Sequence, residues 1–406
     1  MSESARGGAG GRGPKTRFRV LVLNAGSSSI KASVVEVDGG GSIGSFAAPT
    51  VPLARETVER DDGVSIDPRE ALPELLERLT VAVVPVGSIA AVAHRVFHGG
   101  TELVGPALVD DAVVTTIERL APLAPLHNPV GASTIRVAVE ALPNLPHVAC
   151  FDTAFHAALP EVVRRYPVPD RWFDDWGVRR FGFHGLAVEW DVGRAAALLG
   201  RPAAELGLVV AHLGSGSSVT AVAGGRSVWT SMGMTPLEGV MMGSRGGSID
   251  PGVIIQLLED GRLDVAGLRR DLERGSGLLG VSGSSADVRD LEAAMAEGDK
   301  RARLALEMFA DRAAAGIAGA AARLSRLDAV AFSGGIGENA GRLRADIVGR
   351  LAVLGLEPIT ADESGDDRIL AEVEGGPAGP PFGRPIAIRV EAREDLVAAR
   401  AAAYFV

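Results

Sequence analysis

Apolar and polar stretches alternate along the chain in a way that predicts strands and helices in turn. Phe18 to Leu23 is a short run dense in Val and Leu, as a buried strand is. Asn24 to Ser29 is a tight polar turn, Ile30 to Val37 a second strand, and Gly39 to Gly41 ends it. Strand–turn–strand excludes a nucleotide-binding P-loop, which needs a helix after its glycines and a spacing absent here, so Lys31 is not a Walker lysine. The pattern recurs: Leu208 to Leu213 reads as a strand, Gly214 to Ser218 as a turn, and Val219 to Ala223 as a strand. Gly26-Ser27-x-Ser29 and Gly214-Ser215-x-Ser217 superpose at an offset of 188 residues. The repeat predicts two related domains, each opening with a hairpin whose tip suits oxygen atoms. The plainer alternative is two unrelated hairpins.

Between and after the hairpins, Pro68 to Leu79, Asp110 to Ala121, Pro129 to Leu142 and the Ala-rich Asp299 to Leu324 read as helices. Ile89 to His94 reads as a strand leading to a Gly99-Gly100 turn. His147 to Phe151 reads as another, with Asp152 at its carboxyl end, where open α/β sheets bind ligands. Ala329 to Phe332 is a strand running into Ser333 and the glycines, with a helix after Glu338-Asn339. Pro377 to Pro385 is a loop before a final strand, Ile386 to Val390, and a helix from Arg393. The alternation indicates an α/β protein.

At 406 residues with 47% hydrophobic content, the chain has material for two domains. A formal net charge of -10 argues against an extended nucleic-acid surface. The single cysteine, Cys150, excludes an intrachain disulfide framework and fits a reducing compartment. Met1 to Arg17 is rich in Gly, Arg and Ser, which predicts a disordered tail and no secretory signal. No apolar run reaches the roughly 18 residues of a membrane span. The expectation is a cytoplasmic protein without membrane or nucleic-acid partners.

Four Gly- or Ser-rich turns are read as following apolar strands: Asn24 to Ser29, His212 to Ser218, Gly280 to Ser285 and Gly334 to Asn339. Glycine lets backbone approach a ligand, and successive exposed N–H groups form anion nests. One such turn is an ordinary turn; four together point to phosphate or nucleotide. Arg95 follows a buried strand, Arg245 lies among glycines, and Arg289 follows Asp287. A guanidinium fork suits carboxylate and phosphoryl oxygens. His94, His98, His127, His184 and His212 fall in short polar breaks, and Phe183-His184-Gly185 suits a hydrogen bond to a transferring phosphoryl group. His94-x-x-x-His98 spans a strand and turn, where the spacing does not converge, and no cysteine pair or HExxH supports zinc. Cys150 has no partner histidine and reads as an inert core thiol.

Leu23 to Lys31 resembles the opening signature of the acetate kinase family. The similarity continues through His94 to Gly100, Ala124 to Pro129, Phe151 to His156, Phe181 to Gly185, Thr230 to Pro251 and Gly335 to Asn339, in family order. The resemblance implies a homodimer of duplicated actin-like (ribonuclease H-like) α/β domains, with ATP and a carboxylic acid in the cleft between them. It implies an acid-binding lobe of residues 18–152 plus 390–406 and a nucleotide-binding lobe of residues 153–389. It also implies reversible phosphoryl transfer from ATP to acetate, with Mg²⁺ (or Mn²⁺) as cofactor. By resemblance, Asp152, His184 and Arg245 are catalytic, and Arg95, His127, Phe97, Leu126, Phe183 and Pro236 bind the acid. His212, Leu213, Gly214, Ser215 and Gly216, then Asp287, Val288 and Arg289, then Gly335, Ile336, Gly337, Glu338 and Asn339 fall on nucleotide contacts, with Lys31 near the phosphates. Asn24 and Glu394 match metal-associated positions. Asp152 reads as a group that orients Mg²⁺ or an arginine, because an ionised acid needs no base.

Three positions depart from the family's usual pattern. Phe97 stands where a smaller aliphatic residue is usual, which predicts acetate over propionate. Ser215 replaces an asparagine. Glu391-Ala392-Arg393 replaces proline-threonine-asparagine, bringing a positive charge beside Glu394. The last two leave a pyrophosphate donor open. Other readings are a propionate or other short-chain acid kinase, an actin-like sugar kinase with Asp152 as base, and a noncatalytic nucleotide-binding module.

Overall fold

The computed structural model describes residues 17–26, 29–38, 52–59, 66–81, 85–361, 365–370 and 383–406. Most of the expected tail, the turn residues Ser27 and Ser28, Gly39 to Gly41 and most of the loop from Pro377 lie outside the described residues. Strands β1 (Arg17–Ala25), β2 (Ser29–Asp38), β3 (Ala54–Glu59), β4 (Ile89–Val96), β5 (Ala107–Leu108) and β6 (His147–Phe151) form one sheet in the order β3-β2-β1-β4-β6-β5. Strands β7 (Gly207–Leu213), β8 (Ser217–Ala223), β9 (Arg226–Thr230), β10 (Ala329–Ser333), β11 (Arg368–Ile369) and β12 (Ile386–Arg389) form a second in the order β11-β12-β10-β7-β8-β9.

Read from the hairpin outward, the two orders are the same. β1 pairs antiparallel with β2 and parallel with β4, and β4 pairs parallel with β6. β7 stands in the same relation to β8 and β10, and β10 to β12. Even the short antiparallel edge strands β5 and β11 correspond. The hairpin repeat in the sequence is therefore the visible part of a duplication that covers a whole sheet. The fold is two similar α/β domains of the actin-like, ribonuclease H-like kind.

The strands are apolar on both faces because both faces are covered. Leu21, Leu23 and Val92 pack toward helices Pro68–Val81 and Asn128–Ala141. Val209, Ala211, Val330 and Phe332 pack toward the long helix Lys300–Ala321 and toward Gly341–Gly349. The alternate residues, Val20, Val22, Ala91 and Ala93 of the first sheet and Leu208, Val210, Ala329 and Ala331 of the second, share a single core. Helices Gly185–Leu199 and Glu394–Ala403 contribute to that same core, with Trp190 and Leu396 fully buried. The sheets are thus joined by a shared apolar layer, and burying one Leu or Val there contributes about 1.5–3 kcal/mol.

Two of the expected turns take another form. Gly280 to Ser285 does not follow a strand: Gly277–Ser282 is a short helix, closed by Gly283 at φ +72°. Leu278 and Leu279 are too short an apolar run to separate strand from helix by pattern. Gly334 to Asn339 is itself a helix that begins directly after β10, rather than a loop before one. Gly334 makes this possible, since at φ +73° a Cβ would lie 2.6 Å from the Leu213 carbonyl oxygen.

Candidate active site

The alternation that builds the shared core also aims the chemistry. Side chains two apart on a strand face the same way. Val20 and Val22 therefore carry Asn24 onto the face between the sheets, Ala91 and Ala93 carry Arg95, and Val148 and Cys150 carry Asp152. In the second sheet Leu208 and Val210 carry His212, and Ala329 and Ala331 carry Ser333. Register aligns Lys31, Asn24 and Arg95 across β2, β1 and β4. It aligns Ser218, His212 and Ser333 across β8, β7 and β10. Each sheet thus ends in a row of three polar residues at the same topological place.

Arg95 is the centre of the first row. Its Nε donates to Asp152 Oδ1 at 3.0 Å and its Nη2 to Asp152 Oδ2 at 2.8 Å, while Nη1 donates to Glu394 Oε1 at 2.7 Å. A guanidinium has five N–H groups, so one on Nη1 and one on Nη2 are not engaged by Asp152 or Glu394. Burial raises the Asp152 carboxyl above its usual value, and Arg95 offsets part of that rise. The fork of donors on both its oxygens is the contact of a carboxylate, and the pair is ionised. Burial opposes the charge on Arg95, but Asp152 and Glu394 outweigh it and hold its pKa above the ordinary arginine value. Burial would also raise Glu394; Arg95, His212 and Lys31 reverse this and bring it below the usual range. A cavity of about 250 Å³ opens beside the row, lined by Asn24, Lys31, Arg95, Glu394, Arg55 and Asp395 among others.

His184 caps the helix Gly185–Leu199 at φ +60°, the one non-glycine residue with positive φ among those described. The turn is fixed from below, where the Gly185 N–H donates to the Asp152 carbonyl at 2.7 Å. A Cβ on Gly185 would sit 2.3 Å from that oxygen. His184 Nδ1 lies 3.0 Å from the Ser218 hydroxyl, and its ring is 4.6 Å from that of His212. Burial, then His212, Arg95 and Arg245, hold His184 well below the usual histidine value, so its imidazole is neutral. A Cβ built on Gly216 would meet His184 Nε2 at 3.5 Å and Arg245 Nη2 at 3.7 Å, so both side chains converge on that glycine. Arg245 Nη1 donates to the Pro236 carbonyl at 3.1 Å, which brings Pro236 to the same side.

The aromatic wall is a stack. Phe97 lies 4.2 Å from the His127 ring and 4.7 Å from Phe183, nearly parallel to both, so its ring is held on two sides. Phe183 is fully buried and packs with Met232 and Met242, residues that sequence reasoning passed over. Leu126 is 37% exposed at the rim. Burial, with Arg245 and Arg95, brings His127 down to about 4.

The glycine turns meet one another. Gly243 N–H donates to the Ser215 carbonyl at 3.2 Å, and a Cβ on Gly214 would lie 3.8 Å from the Gly335 nitrogen. A Cβ on Gly243 would lie 3.5 Å from Ala286, which brings the segment before Asp287 alongside. Asp287 and Arg289 pair with each other at the surface, Nη2 to Oδ2 at 2.6 Å, and Val288 and Leu213 are buried in the core. Ile336 is partly buried, Gly337 and Glu338 offer carbonyls to Arg344, and Asn339 donates to Gly335 at 3.0 Å. His94 lies in β4 rather than in a polar break, bonded to His147 at 3.0 Å; burial, then His147, lower it to about 3. Cys150 is buried and its thiol pushed up to about 12 by burial, then by Glu189.

Arg393 does not confront Glu394 with a free charge. It is buried and forks onto Asp395, with Nε to Oδ1 at 2.8 Å and Nη2 to Oδ2 at 3.1 Å. Among the described residues no three His, Cys, Asp or Glu side chains form a metal cage. Mg²⁺ commonly takes only one or two carboxylates plus substrate oxygens and water. Glu394 and the Asn24 amide oxygen, both at the cavity, fit that donor chemistry.

No helix among the described residues is long and apolar enough to cross a membrane. A family model described as Acetokinase family matches residues 19–372. The chain is 43% identical to an acetate kinase of Deinococcus radiodurans, covering 95% of this chain and 98% of that protein. It is 42% identical to a propionate kinase of Citrobacter rodentium over 86% of this chain and 89% of that one. A crystal structure of Porphyromonas gingivalis acetate kinase superposes with a TM-score of 0.82 at 30% identity, covering 94% and 98% of the respective chains.

Proposed function

The chain belongs to the acetokinase family, a phosphotransferase acting on a short-chain carboxylate, and from that premise we propose that it transfers the γ-phosphoryl group of ATP reversibly to acetate. The observation that carries the reading is the Arg95 guanidinium, held by Asp152 and Glu394 with two N–H groups left over. It stands near Phe97 on the strand that leads to the aromatic stack. An ionised acid is already a nucleophile at pH 7, since a simple carboxyl titrates near pH 4. The residues therefore need to overcome repulsion between anions, not to remove a proton.

One carboxylate oxygen attacks the γ-phosphorus while the bond to the β-bridging oxygen breaks, and that electron pair leaves on ADP. Arg95 binds and orients the acceptor, and Asp152 keeps Arg95 aimed. Arg245 and the neutral His184, which flank Gly216, meet the phosphoryl oxygens as charge spreads onto them. The turns around Gly214 and Gly335 receive the nucleotide. Asn24 and Glu394 would hold Mg²⁺, which supplies further positive charge to the phosphates.

Acetate is the acid we assign over propionate, because Phe97 is stacked on both sides and cannot easily rotate to admit a longer chain. ATP is the donor we assign over pyrophosphate, because the charge of Arg393 is neutralised by Asp395. The assembly we propose is a homodimer. Helix Pro251–Glu259 has no buried residue, and Val253 and Ile255 are 50% and 56% exposed, a face that a second copy would cover.

The test is purified protein with Mg²⁺ and ATP against formate, acetate, propionate and butyrate, with acyl phosphate trapped as hydroxamate. Acetate should give the highest kcat/KM, and pyrophosphate should not replace ATP. A higher value for propionate overturns the substrate, and no ATP-dependent hydroxamate with any acid overturns the reading.

A further inference from the structure

Behind the second row lies a fully buried acid with no part in the chemistry described. Asp191 sits on helix Gly185–Leu199, the helix that His184 caps. His184 reaches Ser218 and Asp191 reaches Ser333, the two ends of the row. Asp191 Oδ2 and the Ser333 hydroxyl are hydrogen-bonded, and that hydroxyl lies 3.2 Å from His212 Nδ1. The three groups form an unbranched chain from the core to the cleft.

We propose that Asp191 is a positioning residue that acts through Ser333 to fix the tautomer of His212, leaving Nε2–H as a donor toward the nucleotide phosphates. Asp191 has no exposure, and its Oδ1 is buried with no hydrogen-bond partner. A carboxylate there would be a buried charge with one oxygen unsatisfied, which is costly, whereas the acid form has a single proton to place. Placed on Oδ2, that proton is donated to Ser333 Oγ. The serine hydroxyl then donates onward, and the acceptor it meets is Nδ1 of a neutral imidazole.

The surroundings favour this direction. Burial raises Asp191 well above the usual carboxyl value, the Ser333 bond opposes it, and Glu338, Glu394 and Asp367 raise it further. Arg194, one turn further along the same helix, pairs with Asp367 at 2.7 Å. Burial, with Arg95 and against Glu394, holds His212 at about 4, so the ring is neutral and its tautomer is a real choice. The opposite direction, Nδ1–H donating to Ser333, would turn a lone pair toward phosphate oxygens and repel them. A phosphate site on this row needs the donor.

The tautomer can be measured without turnover, whereas its consequence for ATP rests on the kinase reading. The decisive experiment is ¹⁵N NMR of the ring nitrogens of His212 in the whole protein at neutral pH, assigned by comparison with His212→Gln. The proposal expects a protonated Nε2 and an unprotonated Nδ1, and an Nδ1–H ring overturns it whatever the enzyme's activity. Kinetics supply the second arm. Asp191→Asn keeps a donor for Ser333 and should retain the ATP KM within about twofold, whereas Asp191→Val and Ser333→Ala should each raise it about tenfold and leave the acetate KM alone. An unchanged ATP KM in Ser333→Ala, with the protein active and folded, also overturns the proposal.

Discussion

The two sheets have the same topology, yet their corresponding rows differ in kind. Lys31, Asn24 and Arg95 bring two cations, and Arg95 is locked by two carboxylates. Ser218, His212 and Ser333 bring hydroxyls and a neutral imidazole, backed by a buried acid and by His184. A duplicated backbone therefore supplies one charged edge and one neutral edge across the same layer. In the proposed reaction, charge suits the side that draws a small anion out of water, where its Coulomb attraction replaces lost hydration. Neutral donors suit the side proposed to receive the nucleotide, because fixed donors orient an anion without a further buried charge to desolvate.

The largest effect should come from removing the charged edge's centre. Arg95→Ala leaves Asp152 buried without its partner and should lower kcat/KM for acetate by about a thousandfold. An effect below tenfold in steady-state assays would show that the acceptor is held elsewhere. Next, Arg245→Ala should reduce kcat by about a hundredfold with little change in ATP KM, since in the proposed mechanism its contact strengthens as charge spreads in the transition state. A loss confined to ATP KM would move Arg245 to ground-state nucleotide binding.

Smaller is the effect on substrate size. Phe97→Val removes the middle of the aromatic stack and should raise the propionate-to-acetate ratio of kcat/KM about tenfold. No change in that ratio would mean the ring does not bound the acyl pocket.

A last effect is on stability instead of turnover: it concerns histidines kept neutral by burial, and its sign follows from where their protons can bind. His94 is lowered to about 3, and His98 and His156 to about 4, from 6.5, by burial chiefly. Below pH 6.5 the unfolded chain takes up protons that the native protein cannot. Their contribution to stability is thus intact above pH 6.5 and is lost progressively as pH falls toward 4, by about 1.4 kcal/mol per pH unit for each. Urea midpoints that stay level between pH 7 and pH 5 would contradict this.

Much of this architecture is legible in the sequence, for reasons that differ by element. The strands at the centre of each sheet are continuous apolar runs, and the glycine–serine hairpin tips mark the duplication because the same residue types recur at the same place in both. The edge strand β5, Ala107–Leu108, carries little apolar signal, since an edge is decided by pairing and not by burial. Arg95 and Asp152 stand out as polar groups at the ends of apolar strands, His184 as a polar break between apolar segments, and Arg245 by the glycines around it. Asp191 does not: it lies mid-helix among Trp190, Val192 and Ala195, and only the packing of that helix between two sheets shows it to be buried. The pairing of Arg393 with Asp395 is equally invisible, because two residues' separation gives no direction for either side chain.

The division of labour between the edges is tested most directly by bisubstrate kinetics on Arg95→Lys and His212→Ala side by side. The account predicts that Arg95→Lys raises the KM for acetate and leaves that for ATP, while His212→Ala does the reverse. If both substitutions moved the same constant, the two rows would not be serving different substrates, and the account would be contradicted.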